Sequence, residues 1–335
     1  MHASPLGVSL DFGRSRGFTL IELMIGMVLS LFIAAALGVL VSNMSRANTE
    51  LDRSSRQIEN GRYAIEVLSE EIKLAGFYGD VRQAGAVMSQ PAACATNLAG
   101  LGWSSSPITI PMPLQGFAGT TDVPGCVTSH RNATALLALR RLSTERTLPA
   151  AMTSGDPHLQ TSQCSADPFM PPLILSVDAG DFILKNLACD TINPVRRYLS
   201  RIYYIAPCSD CARGDAIPTL KRLELDGGAM QETALAQGIE DLQFEYGFDT
   251  NGDGAPDQFL TALDGVAGSA ANDWSNVMAV RIWLLSRSTD PTNGYTDTKT
   301  YSLGAHGTRG PYNDAFKRRV YTTLVKLNNP AGWRE

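Results

Sequence analysis

Charge is scarce in this chain of 335 residues. Asp, Glu, Lys and Arg together make up 18%, and nowhere do lysines and arginines form a long run. Phosphate backbones are held by clustered basic side chains, so this pattern and a formal net charge of −5 speak against nucleic acid as a partner. Histidine is scarcer still: His2, His130, His158 and His306 have no spacing that suits a zinc site. There is no G-x-S-x-G, no H-E-x-x-H and no Gly-rich phosphate loop, so no catalytic residue is assigned and an enzyme is not expected. Cysteine is missing from the first quarter; Cys94, Cys126, Cys164, Cys189, Cys208 and Cys211 follow. An even number spread through loop-like sequence suits disulfides in an oxidising compartment. Six cysteines allow fifteen pairings, so connectivity stays open, with the nearest-neighbour set the plainest choice. What the chain has in quantity is apolar side chain, 44%, which is enough for a packed core and excludes wholesale disorder.

The apolar residues are most concentrated near the start. From Phe18 to Val41 the sequence reads FTLIELMIGMVLSLFIAAALGVLV, with Glu22 its only charge and no proline. As a helix, that stretch is roughly 36 Å long, enough to span the hydrocarbon core of a bilayer. Before it stand seventeen polar residues ending in Arg14, Arg16 and Gly17. Those arginines predict a cytoplasmic N-terminus, with the rest of the chain sent outward. An ordinary secretory signal is cut after its apolar stretch, at small residues. Here the natural breakpoint, Gly17–Phe18, comes before it, so the apolar helix would survive processing.

The run Arg16-Gly17-Phe18-Thr19-Leu20-Ile21-Glu22 resembles the prepilin signal of type IV pilins and type II secretion pseudopilins. That resemblance implies cleavage by a membrane aspartyl peptidase between Gly17 and Phe18, methylation of the new Phe18 amine, and retention of Glu22 as the family's glutamate. The physical chemistry of Glu22 points the same way. A carboxylate inside a spanning helix costs about 2.5–3.5 kcal/mol on insertion scales, so it calls for a partner. The Phe18 amine of a neighbouring subunit would neutralise it and set axial register.

Helical periodicity continues past the apolar run. Leu51, Ile58, Ile65 and Ile72 recur every seven residues, with Leu68 and Ala75 on companion positions, and Gly76 offers a C-cap. With only about four heptads, and with Ser54 and Gly61 weakening the seam, the stripe predicts a helix laid on its own sheet, not a coiled coil. Residues 81–135 and 143–172 read as extended and irregular. Strands are predicted at 135–142, 181–188, 200–206, 220–225, 241–248, 277–286, 299–303 and 319–327. Leu242, Phe244, Tyr246 and Phe248 alternate as a half-buried strand should. Several strands without intervening helices imply an antiparallel sheet.

Two local motifs carry chemistry. Asp249, Asn251, Asp253 and Asp257 place oxygen ligands at positions 1, 3, 5 and 9 of a calcium-type loop, with Gly254 at position 6 and the Ala255 carbonyl at position 7. Position 12 is Leu260, so the bidentate glutamate is missing, and further ligands would come from water, Glu245 or Asp264. The competing reading is a polar turn; four convergent oxygens favour a structural Ca2+. Cys208-Ser209-Asp210-Cys211 is a Cys-X-X-Cys that would serve as a redox pair, half a zinc site or a local disulfide. Pro207 and Gly214 put it in a turn between strands, which favours the local disulfide.

Residues 61–80, GRYAIEVLSEEIKLAGFYGD, and the C-terminal stretches DLQFEYGFDTNGDG, VMAVRIWLLSRS and RRVYTTLVKLNN resemble PilW-type minor pilins. The middle, about 81–235, carries little of that resemblance. The fold expected is α+β and type IV pilin-like: a long N-terminal helix packed on an antiparallel β-sheet head. The domains expected are a leader (1–17), a membrane and assembly helix (18–41), its amphipathic extension (42–76) and a periplasmic or extracellular head (77–335). The resemblance implies a minor pilin that helps to initiate type IV pilus assembly; the alternative is a type II secretion pseudopilin. Its implied partners are other minor pilins, the major pilin, prepilin peptidase and the inner-membrane assembly machinery. Its implied location is the inner membrane before assembly and the pilus surface afterwards.

Overall fold

The computed structural model describes residues 17–81, 86–167, 173–262 and 273–332. Arg14, Arg16 and Asp264 lie outside the described residues. The chain divides into two compact units, Met1–Asp52 and Arg53–Glu335. One helix, α1 (Leu20–Leu74), contributes residues to both. In the first unit every residue from Gly17 to Thr49 is exposed, and the helix is long and apolar enough to cross a membrane.

In the second unit the helix buries one face: Gln57, Gly61, Ala64, Leu68 and Ile72, spaced by three or four residues as a 3.6-residue repeat requires. Of the expected stripe, Leu68, Ile72 and Ala75 are buried, and the rest is corrected. Leu51 is 65% exposed, while Ile58 and Ile65 are half-buried along the margin. The buried line contains the two smallest side chains, Gly61 and Ala64, because the backbone itself comes close to the sheet. The helix stops after Leu74; Gly76 follows at φ +74°, a conformation without penalty only for glycine, and its N–H donates to the Arg140 carbonyl at 2.9 Å. Asn329 closes the same end, its Nδ2 donating to the Ala75 carbonyl at 3.2 Å.

Three short strands, β1 (Val87–Ser89), β2 (Ser104–Ser105) and β3 (Ile108–Pro111), form a small sheet in the order β1-β3-β2. A seven-stranded antiparallel sheet follows: β4 (Leu114–Phe117), β5 (Leu136–Leu142), β6 (His158–Thr161), β7 (Leu173–Ser176), β8 (Arg196–Ala206), β9 (Thr219–Asp226) and β10 (Ala229–Gln237). Its main path is β10-β9-β8-β5-β4, with β6 on β8 and β7 on β6. The third sheet has the order β12-β11-β13-β16, from β11 (Ile239–Phe248), β12 (Gln258–Leu260), β13 (Val277–Arg287) and β16 (Arg318–Lys326). Between β13 and β16 a two-stranded hairpin, β14 (Tyr301–Ser302) with β15 (Thr308–Arg309), interrupts a long excursion. A short helix, α2 (Asn328–Gly332), follows β16.

The helix joins the two larger sheets into one core. Ala64, Leu68, Ile72 and Ala75 pack with Leu137, Tyr203 and Leu220 of one sheet and with Leu242, Phe244, Ile282 and Val325 of the other. Burying each of the large aliphatic side chains contributes about 1.5–3 kcal/mol. Strand β11 departs from the half-buried expectation, for all ten of its residues are buried. Its polar side chains are covered and paired: Asp241 with Arg309 at 2.7 Å, Glu245 with Arg281 at 2.7 Å, and Glu240 with Arg318. The strand expected at 181–188 does not form. A 3₁₀ turn at Ala179–Asp181 and a single bridge, Lys185 to Ile192, take its place. The segments at 81–135 and 143–172, read as irregular, hold β1 to β4 and β6.

Candidate functional site

The first region of interest is the start of α1. Thr19 precedes the first helical residue, and Glu22 is the third residue of the helix. The Glu22 carboxylate accepts the Thr19 N–H and the Thr19 hydroxyl, each at 2.9 Å, while the Glu22 N–H donates to Thr19 Oγ1 at 3.3 Å. This is a capping box, the reciprocal closure of two unpaired donors at a helix N-terminus. The sequence signal for it was Thr19 three residues before Glu22, which the reading of Glu22 as a lone carboxylate passed over. Gly17 and Phe18 lie outside the helix immediately before the box, and Phe18 is 87% exposed.

The second region is where α1 docks on the sheets. Gln57 inserts its amide between two backbone carbonyls, with Nε2 donating to Lys317 O, just before β16, at 2.9 Å and to Ser286 O of β13 at 3.2 Å. Asn60 Nδ2 donates to Gln237 O at 3.1 Å. Gly61 lies against the outer end of the Tyr321 ring: a methyl group there would sit 2.4 Å from Cε2. One turn before the helix end, Glu71 bridges Arg141 on β5 (3.0 Å) and Arg201 on β8 (2.7 Å). Burial pushes the Glu71 carboxyl up, but the two guanidinium groups outweigh it and hold the group below its ordinary value. Nothing in the helical periodicity singled out Gln57 or Glu71, because their partners are far away in sequence.

A third cluster fixes the excursion between β13 and β16. Arg318, with a side chain 1% exposed, binds Glu240 of β11, Asp297 (2.9 Å) and Asp314 (2.6 Å). Tyr301 adds a hydroxyl bond to Asp297 at 2.9 Å. Burial acts against the Arg318 charge, but the surrounding carboxylates more than offset that and raise its proton affinity above the ordinary arginine value. The cluster is structural in its chemistry: every carboxylate faces a cation and no reactive group stands free of it.

The 249–257 loop joins β11 to β12. Asp249 is 2% exposed and accepts the backbone N–H groups of Asn251, Gly252 and Gly254. Asp257 accepts the Thr250 N–H and hydroxyl, which hold its carboxyl below the ordinary value. Asn251 Nδ2 lies between Asp253 Oδ2 (3.2 Å) and Asp257 Oδ1 (3.1 Å). The loop oxygens are thus satisfied within the loop, with an amide donor between Asp253 and Asp257. Gly254 has φ +80°, the turn position that the motif demands. Leu260, at position 12, pairs with Tyr246 in the sheet, and Glu245 is turned toward Arg281, Trp283 and the Ala305 N–H. Glu245 is thus not a further ligand. Among the described residues no group of three or more His, Cys, Asp or Glu side chains stands ready to hold a metal.

All six cysteines are paired, as Cys94–Cys126, Cys164–Cys189 and Cys208–Cys211. This is the nearest-neighbour set.

The fold is α+β, a long helix with mostly antiparallel sheets. Residues 13–38 match the family model of the prokaryotic N-terminal methylation motif, and residues 202–329 match that of type IV pilus-assembly protein W. Among solved structures, a type IV-like pilin from Thermus thermophilus is similar over 60% of this chain and 81% of its own, at 13% identity and a TM-score of 0.28. No curated protein sequence matches. The two family matches support a PilW-type minor pilin of the type IV pilus and favour it over the type II secretion alternative. The matched family is structural, not enzymatic, and the prepilin signal with its apolar helix marks a membrane-anchored protein.

Proposed function

We propose that this minor pilin is inserted with its N-terminus in the cytoplasm and its head outside, cut by prepilin peptidase between Gly17 and Phe18, and then drawn into the pilus. There the head meets other minor pilins and the major pilin, and the inner-membrane machinery drives the assembly. The observation that carries this reading is the continuity of α1. The helix runs from Leu20 to Leu74, and its Ala64, Leu68 and Ile72 are part of the core of the head. Cleavage ahead of the apolar stretch keeps anchor and head as one piece, whereas cleavage after it would release a head with no means of joining a filament.

In the same reading Glu22 neutralises the Phe18 amine of a neighbouring subunit, exchanging its capping bonds for an ion pair. The 249–257 loop takes a structural Ca2+ through Asp249, Asn251, Asp253, Asp257 and the Ala255 carbonyl, with the Asn251 amide turning to offer its oxygen. The experiment for processing is mass spectrometry of the protein from cells with and without prepilin peptidase. The expected mature N-terminus is methylated Phe18. A leader left in place, or removed beyond Val41, would overturn the proposal.

A further inference from the structure

The loop between β8 and β9 holds the Cys208–Cys211 disulfide, and both cysteines are partly exposed. Lys221 on β9, itself 3% exposed, brings Nζ to 3.8 Å from Cys211 Sγ. The same ammonium is held by Glu232 of β10 at 2.6 Å, and Glu232 also accepts the Tyr204 hydroxyl from β8. A cation is therefore fixed beside one sulfur of this pair by three adjacent strands. The other disulfides are set differently: Cys94 Sγ and Cys164 Sγ accept backbone N–H groups, from Cys126 and Ala166.

Two further observations separate this disulfide from a structural one. Its cysteines are only 3 positions apart, against 32 and 25 for the others, so closing it removes little freedom from the unfolded chain. The loop also has its own internal fastening. Asp215 accepts the N–H groups of Ser209, Asp210 and Ile217, and Asp210 accepts those of Ala212 and Arg213. These bonds fasten the loop in addition to the S–S bond and would remain when that bond opens.

We propose that Cys208–Cys211 is a thiol–disulfide exchange site for a dithiol partner, with Lys221 as its positioning residue. A thiolate of the partner attacks Cys208 Sγ. The new S–S bond joins partner and Cys208, the Cys208–Cys211 bond breaks, and its electron pair leaves on Cys211 as a thiolate facing the Lys221 ammonium. The partner's second thiolate then attacks the mixed disulfide, and Cys208 departs and takes a proton from solvent. The partner is oxidised to a disulfide, and the pilin gains two electrons, held as the Cys211 thiolate and the Cys208 thiol. Lys221 selects Cys211 as the leaving sulfur, because a stabilised thiolate leaves faster and makes its disulfide easier to reduce.

The test is a titration of the full-length protein in detergent with mixtures of reduced and oxidised dithiothreitol, with alkylation and peptide mass spectrometry reporting each disulfide. Cys208 and Cys211 should become alkylatable at a ratio of reduced to oxidised reagent at least about tenfold lower than the other four cysteines. Lys221→Met should raise the ratio needed for this pair alone, and Glu232→Gln should lower it by freeing the ammonium from its carboxylate. Simultaneous opening of all three disulfides would overturn the proposal, as would a folded Lys221→Met protein with an unchanged midpoint. If Lys221→Met does not fold, the Glu232→Gln midpoint decides: a downward shift supports the site, and no shift overturns it.

Discussion

Gly61 of the helix and Tyr321 of β16 meet with no side chain between them: a Cβ on Gly61 would lie 2.4 Å from Cε2 and 2.7 Å from Cζ of the ring. A helix-interior glycine is normally replaced by alanine with a gain of about 1 kcal/mol from propensity. Here the added methyl has to displace the outer end of the Tyr321 ring. Gly61→Ala should destabilise the protein by about 1–3 kcal/mol, the usual cost of forcing atoms into a packed site. Urea unfolding is the measurement. Pairing Gly61→Ala with Tyr321→Leu should recover most of the loss, since the shorter side chain clears the space; additive losses would refute the contact.

The Glu71 bridge makes the head sensitive to acid. Its carboxyl has a folded-state pKa below the ordinary value of 4.5, so it contributes stability at neutral pH. That contribution is lost as the pH falls below 4.5 and through the folded value, because protonation leaves Arg141 and Arg201 without their shared anion. Glu71→Gln should cost about 3–5 kcal/mol at pH 7, the range for breaking a buried pair. Its stability should also change less than the wild type's between pH 5 and pH 3. Parallel stability curves for the two proteins over that interval would refute the assignment.

Glu22 caps the helix, and the proposed role as counter-ion is separable from that. Glu22→Ala should leave membrane insertion and cleavage intact, since removing a charge from the bilayer eases insertion, yet it should reduce incorporation into pili. Thr19→Val breaks the capping box at a cost of about 1 kcal/mol while keeping the carboxylate. Incorporation should survive Thr19→Val. Sheared-pilus fractions from the two strains measure this, and equal losses would assign the effect to the cap.

Calcium should raise the melting temperature of the protein. At a hundred times Kd the gain is about 2.7 kcal/mol. With Leu260 where a bidentate glutamate would stand, Kd should fall near the extracellular range of about 10⁻⁴–10⁻³ M. Asp253→Ala should remove the response and spare the fold, because Asp253 is exposed and its bonds stay within the loop. An unchanged melting temperature between chelator and millimolar calcium would leave the loop a polar turn, already neutralised by its own N–H donors.

Chemistry written into contiguous residues was legible without the fold. The apolar run with Gly17, Phe18 and Glu22, the helix to Leu74, and the alternating strands β11 and β13 each follow from local periodicity or a local motif. Strand β10 was missed because its sequence, AMQETALAQ, has no alternation; it is an exposed edge strand held by main-chain pairing with β9. The opposite error came at 181–188, where Phe182 and Leu184 do alternate and are buried, but no neighbouring strand lies alongside to complete a ladder. Periodicity reports which side chains want burial; it does not report whether a partner strand exists.

What the sequence determined by itself was therefore the membrane helix, its processing motif and the α+β class, because those depend on residues within a turn or two of one another. Tertiary structure alone decided which helical face docks and which charges pair. The face is set by Gly61 and Ala64, whose small size matters only once Tyr321 and the sheets are placed against them. Glu71 acquired two arginines from 70 and 130 positions away, and Lys221 acquired a disulfide ten positions back across a strand turn. No one-dimensional pattern encodes such pairings, since the free energy that fixes them is the burial of the whole core around them.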